Sequence, residues 1–429
     1  MRARGLRLEP TPWSITLDAP PFGRARIWRL GGPAPVFFVD APEHFDREGF
    51  YDAPGGGAFE DNPLRFAAFT RFALRAAPLV LGALPDVVHA NDWQTGLAPV
   101  YGQRGEAHAY VGTRFVFTVH NLAYQGVAPK RWVERLGLSW SDFTYTALEH
   151  HDALNPLKAG IVFSQVVSTV SPTYAEEIQT PAFGEGLDAA LRHAKGKLFG
   201  VVNGIDEDAW DPRRDAALAA TYDARRTAGK RACRAALLEE FGLEAGPRDL
   251  VLGVVSRLAH QKGLDVLADA TPRLVESGVR VVMLGSGDPW LADRWSQLAS
   301  DHPGRVGVYI GFDIARAHRV EAGVDAFVMP SRYEPCGLNQ LYSMRYGTVP
   351  IVHGVGGLRD TVVDAAEPGA TGFVFAPLSA HTLAEAVARA AAMFRDDRRA
   401  WRALQQRGMR RDSSWARSAA AYLELYRGA

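Results

Sequence analysis

The sequence predicts an α/β protein of two domains, the second built on a doubly wound parallel sheet. Three observations carry that expectation. The chain has 429 residues, more than one ordinary domain holds. From Asp249 onward, short apolar and β-branched runs alternate with helical stretches, and strands are expected over 250–255, 279–284, 306–310, 326–329 and 349–352. Residues that carry chemistry follow directly on those runs, at the carboxyl ends of strands, where open α/β sheets bind ligands.

The elements follow in chain order. Residues 15–17 and 25–28 alternate like short strands, and 35–40 reads as a buried strand. No glycine-rich turn follows an opening strand, although a complete nucleotide-type domain carries one there. Residues 61–76, DNPLRFAAFTRFALRA, combine an Asp cap with apolar residues at helical spacing and predict an amphipathic helix. The stretch Asp86-Val87-Val88-His89-Ala90-Asn91-Asp92-Trp93-Gln94-Thr95-Gly96 reads as a short strand ending in polar groups, and a second strand over 115–119 ends in His120-Asn121. His89, Asp92, His120 and Asn121 are thereby expected on carboxyl-end loops, where polar residues serve binding more often than packing. Residues 161–170 read as an apolar strand closed by Ser171-Pro172-Thr173-Tyr174 before a helix through Glu177. Residues 198–202 lead into Asn203-Gly204-Ile205-Asp206, taken as the hinge. The expected division is 1–200, 201–412 and a last segment 413–429, whose amphipathic helix over 415–426 is long enough to cross back onto the first domain.

Composition excludes several functions. Lys+Arg and Asp+Glu are equal at 48 each, so net charge gives no reason for nucleic acid or an anionic membrane as partner. Any bound anion must be met locally. Cys233 and Cys336 are the only cysteines, which suits a reduced compartment and excludes a disulfide framework. With no signal segment at Met1 and no run of 18 apolar residues, a soluble cytoplasmic protein is expected. Oligomeric state is left open.

The richest stretch is SRYEPCGLNQLYSMRYGTVP, residues 331–350, after the apolar run 326–330. Glu334 is expected on the loop between that strand and a helix opening near Gly337, with the pair Gly356-Gly357 before another helix. A carboxylate beside free backbone N–H groups suits an anion joined to a polyol. Arg257 and Lys262, five apart on the loop after the first strand of the second domain, are placed to converge on one anionic group, with the helix beginning near Gly263 adding its positive end. Gly285-Ser286-Gly287-Asp288 forms a tight turn on the same face, either structural or in contact with a ligand. Phe312 is either a flat platform for a nucleobase or a core residue. Glu149-His150-His151-Asp152 has metal-ligand residue types, but adjacent histidines on one helix point about 100° apart, so a metal site is not expected there.

Together, HANDWQTGLAP, TVHNLAYQG, VSPTYAEEI, GVVNGIDEDAWDP, SRLAHQKGLDVL, GSGDPWL, SRYEPCGLNQLYSMRYGTVPIV and GGLRDTV resemble bacterial glycogen synthases, the ADP-glucose-using relatives of plant starch synthases. The resemblance runs in unbroken order from about Val39 to the C-terminus. It implies a GT-B arrangement, two Rossmann-like domains facing across a cleft, and a retaining transfer of glucose from ADP-glucose to the non-reducing 4-hydroxyl of an α-1,4-glucan such as glycogen. Neither metal nor other cofactor is implied. Carried over by motif, Arg257 and Lys262 match the pair holding the donor diphosphate, and Glu334 the carboxylate beside the donor sugar. Cys336, Gly337, Leu338 and Asn339 supply neighbouring contacts. His120 matches the histidine facing the reacting sugar, Asp92, Asn121 and Asn203 polar residues of the cleft, and Phe312 the aromatic residue against adenine. Tyr342 stands where many relatives of this fold carry a second Glu, eight positions after the first.

One departure bears on activity. The family opens with a strand and a Lys-x-Gly-Gly-Leu turn, and the sequence contains no such segment. The expected first domain therefore lacks its first βα unit. Besides an active synthase, the resemblance admits a weakly active or inactive glucan- and nucleotide-binding remnant, or a transferase for another nucleotide sugar.

Overall fold

The computed structural model of the chain describes residues 7–18, 22–54, 56–105 and 110–428. The chain forms two compact units. The first comprises Met1–Thr169, Glu177–Phe199 and Glu424–Ala429, the second Val170–Glu176 and Gly200–Leu423.

The first unit holds a four-stranded sheet in the order Leu198–Gly200, Val166–Thr169, Arg114–Val119, Val87–Asn91. Arg114–Val119 pairs in parallel with both Val87–Asn91 and Val166–Thr169. Phe115 to Val119 are all at most 1% exposed, as expected of a central parallel strand covered on both faces. A separate antiparallel sheet joins Glu9–Leu17, Gly23–Leu30 and Val36–Asp40. Helix Asn62–Leu81 packs Ala67, Ala68, Phe72, Leu74 and Ala76 into one core with Ile15, Leu17, Ala25 and Ile27 of that sheet. Spacing of three and four along the helix thus meets alternation along the strands.

The second unit is a six-stranded sheet in the order Val306–Ile310, Arg280–Gly287, Val251–Leu258, Ala326–Met329, Val349–His353, Phe373–Phe375, with every pairing parallel. Counted within the unit this is 3-2-1-4-5-6, the doubly wound order. Leu252, Val254, Val281, Met283, Val328 and Ile351 pack one face against Leu267, Leu274, Trp295 and Leu383. Val251, Val282, Leu284, Phe327 and Val352 pack the other against Leu237, Val320 and Leu358. The strand order reverses between Val251–Leu258 and Ala326–Met329, so the loops leaving those two strands lie side by side, and there the site is built.

Five expectations are corrected. The predicted strand over 161–170 is helix Pro156–Phe163 followed by the shorter strand Val166–Thr169. Pro156 stands in the first helical turn and the Asn155 side chain accepts from the Lys158 N–H at 2.9 Å, a start signal that commits residues 156–163 to a helix; a run apolar on all sides has no periodicity to reveal it. The strand over 35–40 is not buried: Val36 is 48% exposed and the strand is an edge. The helix predicted to open near Gly337 begins at Asn339 and runs to Arg345, because Gly337 is left-handed at φ +70°. Asp61 does precede its helix, but its carboxylate accepts both guanidinium nitrogens of Arg47 at 2.9 Å and does not cap. His150 lies on the short strand Glu149–His150 and His151 in the turn after it, with ring centroids 4.3 Å apart, not on a helix.

Candidate active site

In the second unit a cavity of about 310 Å³ opens at the carboxyl ends of the strands. Arg257, Lys262, Ser286, Phe312, Glu334, Gly337, Leu338 and Asn339 line it. The sheet order therefore gathers most of the donor-side residues expected from the sequence. Glu334 is 5% exposed, and its Oε2 accepts from the Lys262 ammonium at 2.6 Å and from the Ser331 hydroxyl at 2.8 Å. A buried carboxylate requires such partners, since a lone charge there is strongly disfavoured. An ammonium carries three N–H donors, so Lys262 serves Glu334 and retains two for an anion in the same cavity. Arg257 is exposed and makes no ion pair with any described residue. Phe312, 83% exposed, belongs to the cavity rim and not to the core.

Close backbone approach sets these loops. Gly263 is left-handed at φ +62°, and a Cβ there would stand 1.9 Å from the Pro330 carbonyl oxygen. Gly357 leaves no room either: a Cβ would lie 2.1 Å from the Cys336 carbonyl oxygen, while the Gly357 N–H donates to the Glu334 carbonyl at 3.0 Å. The Arg332 guanidinium donates to both carboxylate oxygens of Asp265, at 2.8 and 2.6 Å, and to the His260 carbonyl at 2.8 Å, clamping one loop to the other. Gln340, fully buried, donates to the carbonyls of Cys336 and Gly337 and to the Thr361 hydroxyl, each at 3.0 Å. Asn339, expected among the substrate contacts, has its amide committed to the Val255 carbonyl at 2.6 Å, so it ties the helix to the first strand. Cys336 is buried, which pushes its thiol up to about 12, and it stays neutral near pH 7. Asn203 belongs to the same unit; its backbone N–H faces the Cys336 sulfur and its side-chain oxygen is buried without a partner.

The first unit carries the other group. Asp92 has φ +56°, costly for a residue with a Cβ, and opens the short helix Asp92–Thr95. Its carboxylate accepts from the His120 backbone N–H at 2.8 Å and from that of Asn121. Burial still holds the Asp92 carboxyl above its ordinary value, against the opposing pull of His120 and of those two N–H groups. The His120 ring is fixed by Asn91 Oδ1, 2.9 Å from Nε2. Asn121 Oδ1 accepts from the Ala123 N–H at 3.1 Å, so its side chain shapes the turn. His89, expected on the loop, lies inside the strand, with Nδ1 2.7 Å from the Tyr426 hydroxyl and Nε2 2.6 Å from the Thr118 hydroxyl.

Sequence reasoning missed Ser331, Arg332, Gln340, His353 and Tyr51. Ser331, Arg332 and Gln340 stood inside the motif already singled out. His353 ends the next strand, and its Nδ1 donates to the Ser331 carbonyl at 2.7 Å. Tyr51 comes from a stretch without periodicity: its hydroxyl accepts from the Gln94 amide at 3.0 Å, and its ring lies 6.4 Å from that of Trp93. Among the described residues no three of His, Cys, Asp or Glu come together as a metal set.

Two family models match: the starch synthase catalytic domain over residues 10–193 and glycosyl transferases group 1 over residues 249–392. The chain is 50% identical over 428 residues to a glycogen synthase of Anaeromyxobacter dehalogenans (strain 2CP-C), spanning 99% of this chain and 89% of the relative. To the glycogen synthase of Myxococcus xanthus (strain DK1622) it is 47% identical over 432 residues, 98% of this chain and 88% of the relative. Among solved structures, the catalytic domain of starch synthase IV from Arabidopsis thaliana, bound to ADP and acarbose, matches with a TM-score of 0.88 at 32% identity, covering 98% of this chain and 88% of that one. Sucrose-phosphate synthase from Thermosynechococcus elongatus matches with a TM-score of 0.55 at 21% identity over 87% of this chain and 81% of that one, a likeness of fold alone. The architecture is the two-domain α/β fold of the GT-B class. With half of all residues identical across almost its full length, the chain belongs to the glycogen synthase family of glycosyltransferases.

Proposed function

We propose that the chain transfers glucose from ADP-glucose to the non-reducing 4-hydroxyl of an α-1,4-glucan with retention at C1, and that the second unit holds the donor. The observation that carries this reading is the Lys262–Glu334 pair, 2.6 Å apart at the floor of the cavity that Arg257 also lines. In the reaction the bond from C1 to the diphosphate oxygen breaks and a bond from C1 to the acceptor oxygen forms, while the proton of the acceptor hydroxyl passes to the departing diphosphate. Positive charge develops at the sugar and negative charge on the departing diphosphate. Fixed charges already aimed at both places lower the barrier without reorganising at the moment of reaction. Lys262 and Arg257 meet the diphosphate, Glu334 the sugar, and the exposed ring of Phe312 offers a stacking face to the base. The ADP in the starch synthase IV relative supports a nucleotide donor of this class. His120, Asp92 and Asn121 are assigned to the acceptor side, and the chain's own residues supply all the charge stabilisation without a metal.

The test is ADP release from ADP-glucose with glycogen as acceptor, run beside UDP-glucose. ADP-glucose should be used, and Lys262→Met and Glu334→Gln should each reduce kcat about 10²- to 10³-fold, the loss expected when one group stabilising transition-state charge is removed. Transfer only to a non-glucan acceptor, or full activity in either variant, would overturn the reading.

A further inference from the structure

Glu334 has two carboxylate oxygens, and the structure treats them differently. Oε2 accepts both the Lys262 ammonium, at 2.6 Å, and the Ser331 hydroxyl, at 2.8 Å. Among the described residues, no side chain donates to Oε1, and Oε1 is not a buried orphan atom. Ser331 is 1% exposed and is itself held from behind. Its carbonyl faces His353 Nδ1 at 2.7 Å, and because a carbonyl only accepts, Nδ1 carries the hydrogen. His353 is 9% exposed, and burial lowers its affinity for a second proton, so the neutral ring is the form in place. A chain of donors therefore runs from strand Val349–His353 through Ser331 to one oxygen of Glu334.

We propose that Ser331 is a positioning residue: with Lys262 it commits Oε2 of Glu334, fixes the carboxylate plane, and leaves Oε1 as the one oxygen presented to the donor sugar. The inference rests on the reading above that Glu334 serves the sugar. Lys262 alone does not fix the plane, because an ammonium on a flexible four-carbon stem makes contacts of little directionality and is shared with the diphosphate once the donor binds. The Ser331 hydroxyl has no such freedom. It leaves a short buried side chain whose backbone is anchored by His353, so it defines the rotation of the carboxylate about its last bond. Preorganisation of this kind acts on the chemical step more than on binding, since Ser331, although it lines the same cavity, is 1% exposed and has its hydroxyl committed to Glu334.

The experiment compares Ser331→Ala and Ser331→Thr with the parent protein in three measurements: kcat for ADP-glucose with glycogen, ADP affinity by calorimetry, and the thermal midpoint. Ser331→Ala is expected to lower kcat about ten- to hundredfold, the range for losing one hydrogen bond to a charged group. ADP affinity should stay within about twofold and the thermal midpoint should be nearly unchanged, because a neighbouring carbonyl-anchored backbone is left intact. Ser331→Thr, which keeps the hydroxyl, should recover most of the loss; if its extra methyl destabilises the fold, the Ser331→Ala split decides alone. Unchanged kcat in Ser331→Ala would overturn the proposal, as would a fall in kcat matched by equal falls in ADP affinity and thermal midpoint, the pattern of a merely structural residue. Glu334→Gln, measured alongside, separates the two failures: full activity there removes the reading of Glu334 itself, whereas a large loss there with none in Ser331→Ala removes only the role of Ser331.

Discussion

Buried polar side chains decide much of how this protein behaves, and His89 shows how. Its ring is bonded on both sides, to Tyr426 and Thr118, and the Thr118 hydroxyl lies 2.6 Å from that of Ser168. Burial first, and the nearby His120 second, lower its value to about 4. An unfolded histidine titrates near 6.5. Between those values the unfolded chain binds a proton that the folded one refuses, so stability is full above about 6.5 and is lost as pH falls towards about 4. Urea unfolding should show this loss in the parent protein, and His89→Gln should flatten it by about 2 kcal/mol, allowing for the ring's partial exposure. An identical pH slope in the variant would count against the assignment. The sequence placed His89 on a carboxyl-end loop, whereas it lies in the middle of strand Val87–Asn91. Its role was not legible there either, because whether a histidine faces a loop or bonds inside a sheet depends on partners 29 and 337 residues away.

Helices and loops in the second unit are joined by contacts that tolerate no added atom. The helix Gly356–Thr361 begins against the Glu334–Cys336 loop, and the atoms nearest a Cβ on Gly357 are backbone, which cannot swing aside as a side chain would. Gly357→Ala should therefore displace that loop, reducing transfer at least tenfold in a protein that remains folded by circular dichroism. Gly246→Ala is a fair control, since the nearest atom to its Cβ is 3.6 Å away and belongs to a side chain. Equal activity of the two variants would show that the loop adapts. The five parallel strands expected from alternation were found within a few residues, as apolar runs between polar turns, and one more, Phe373–Phe375, was not anticipated. It has three residues and no pattern long enough to read. The element misread outright, residues 161–170, fails for a related reason: Pro156–Phe163 is buried on nearly every side, and only its cap marks it as a helix.

At the scale of the molecule, the chain passes between its two units at Thr169/Val170, Glu176/Glu177, Phe199/Gly200 and Leu423/Glu424. The segment Val170–Glu176 belongs with the second unit although its neighbours on both sides belong to the first; its backbone at Ser171–Pro172 packs on Gly200, and Asp360 bonds it. One Asp360 oxygen accepts from the Ser171 hydroxyl at 2.5 Å and the Thr173 N–H at 3.1 Å, the other from the Thr173 hydroxyl at 2.6 Å. Asp360→Ala should release the segment, raising amide hydrogen exchange at residues 171–174 about tenfold or more while leaving strand Val349–His353 protected. Unchanged protection at Thr173 and Tyr174 would mean that other contacts hold it. By itself the sequence determined the class of fold, the strand-to-loop positions of Arg257, Lys262, Glu334, Asp92 and His120, and the family, because periodicity and short motifs are local properties. Only the tertiary structure decided which oxygen of Glu334 accepts from Lys262 and Ser331, why Gly357 must lack a side chain, and where Val170–Glu176 belongs. Those depend on atoms brought together from distant parts of the chain, and the strand order 3-2-1-4-5-6 that brings the loops of Arg257, Lys262 and Glu334 together is written in no single segment.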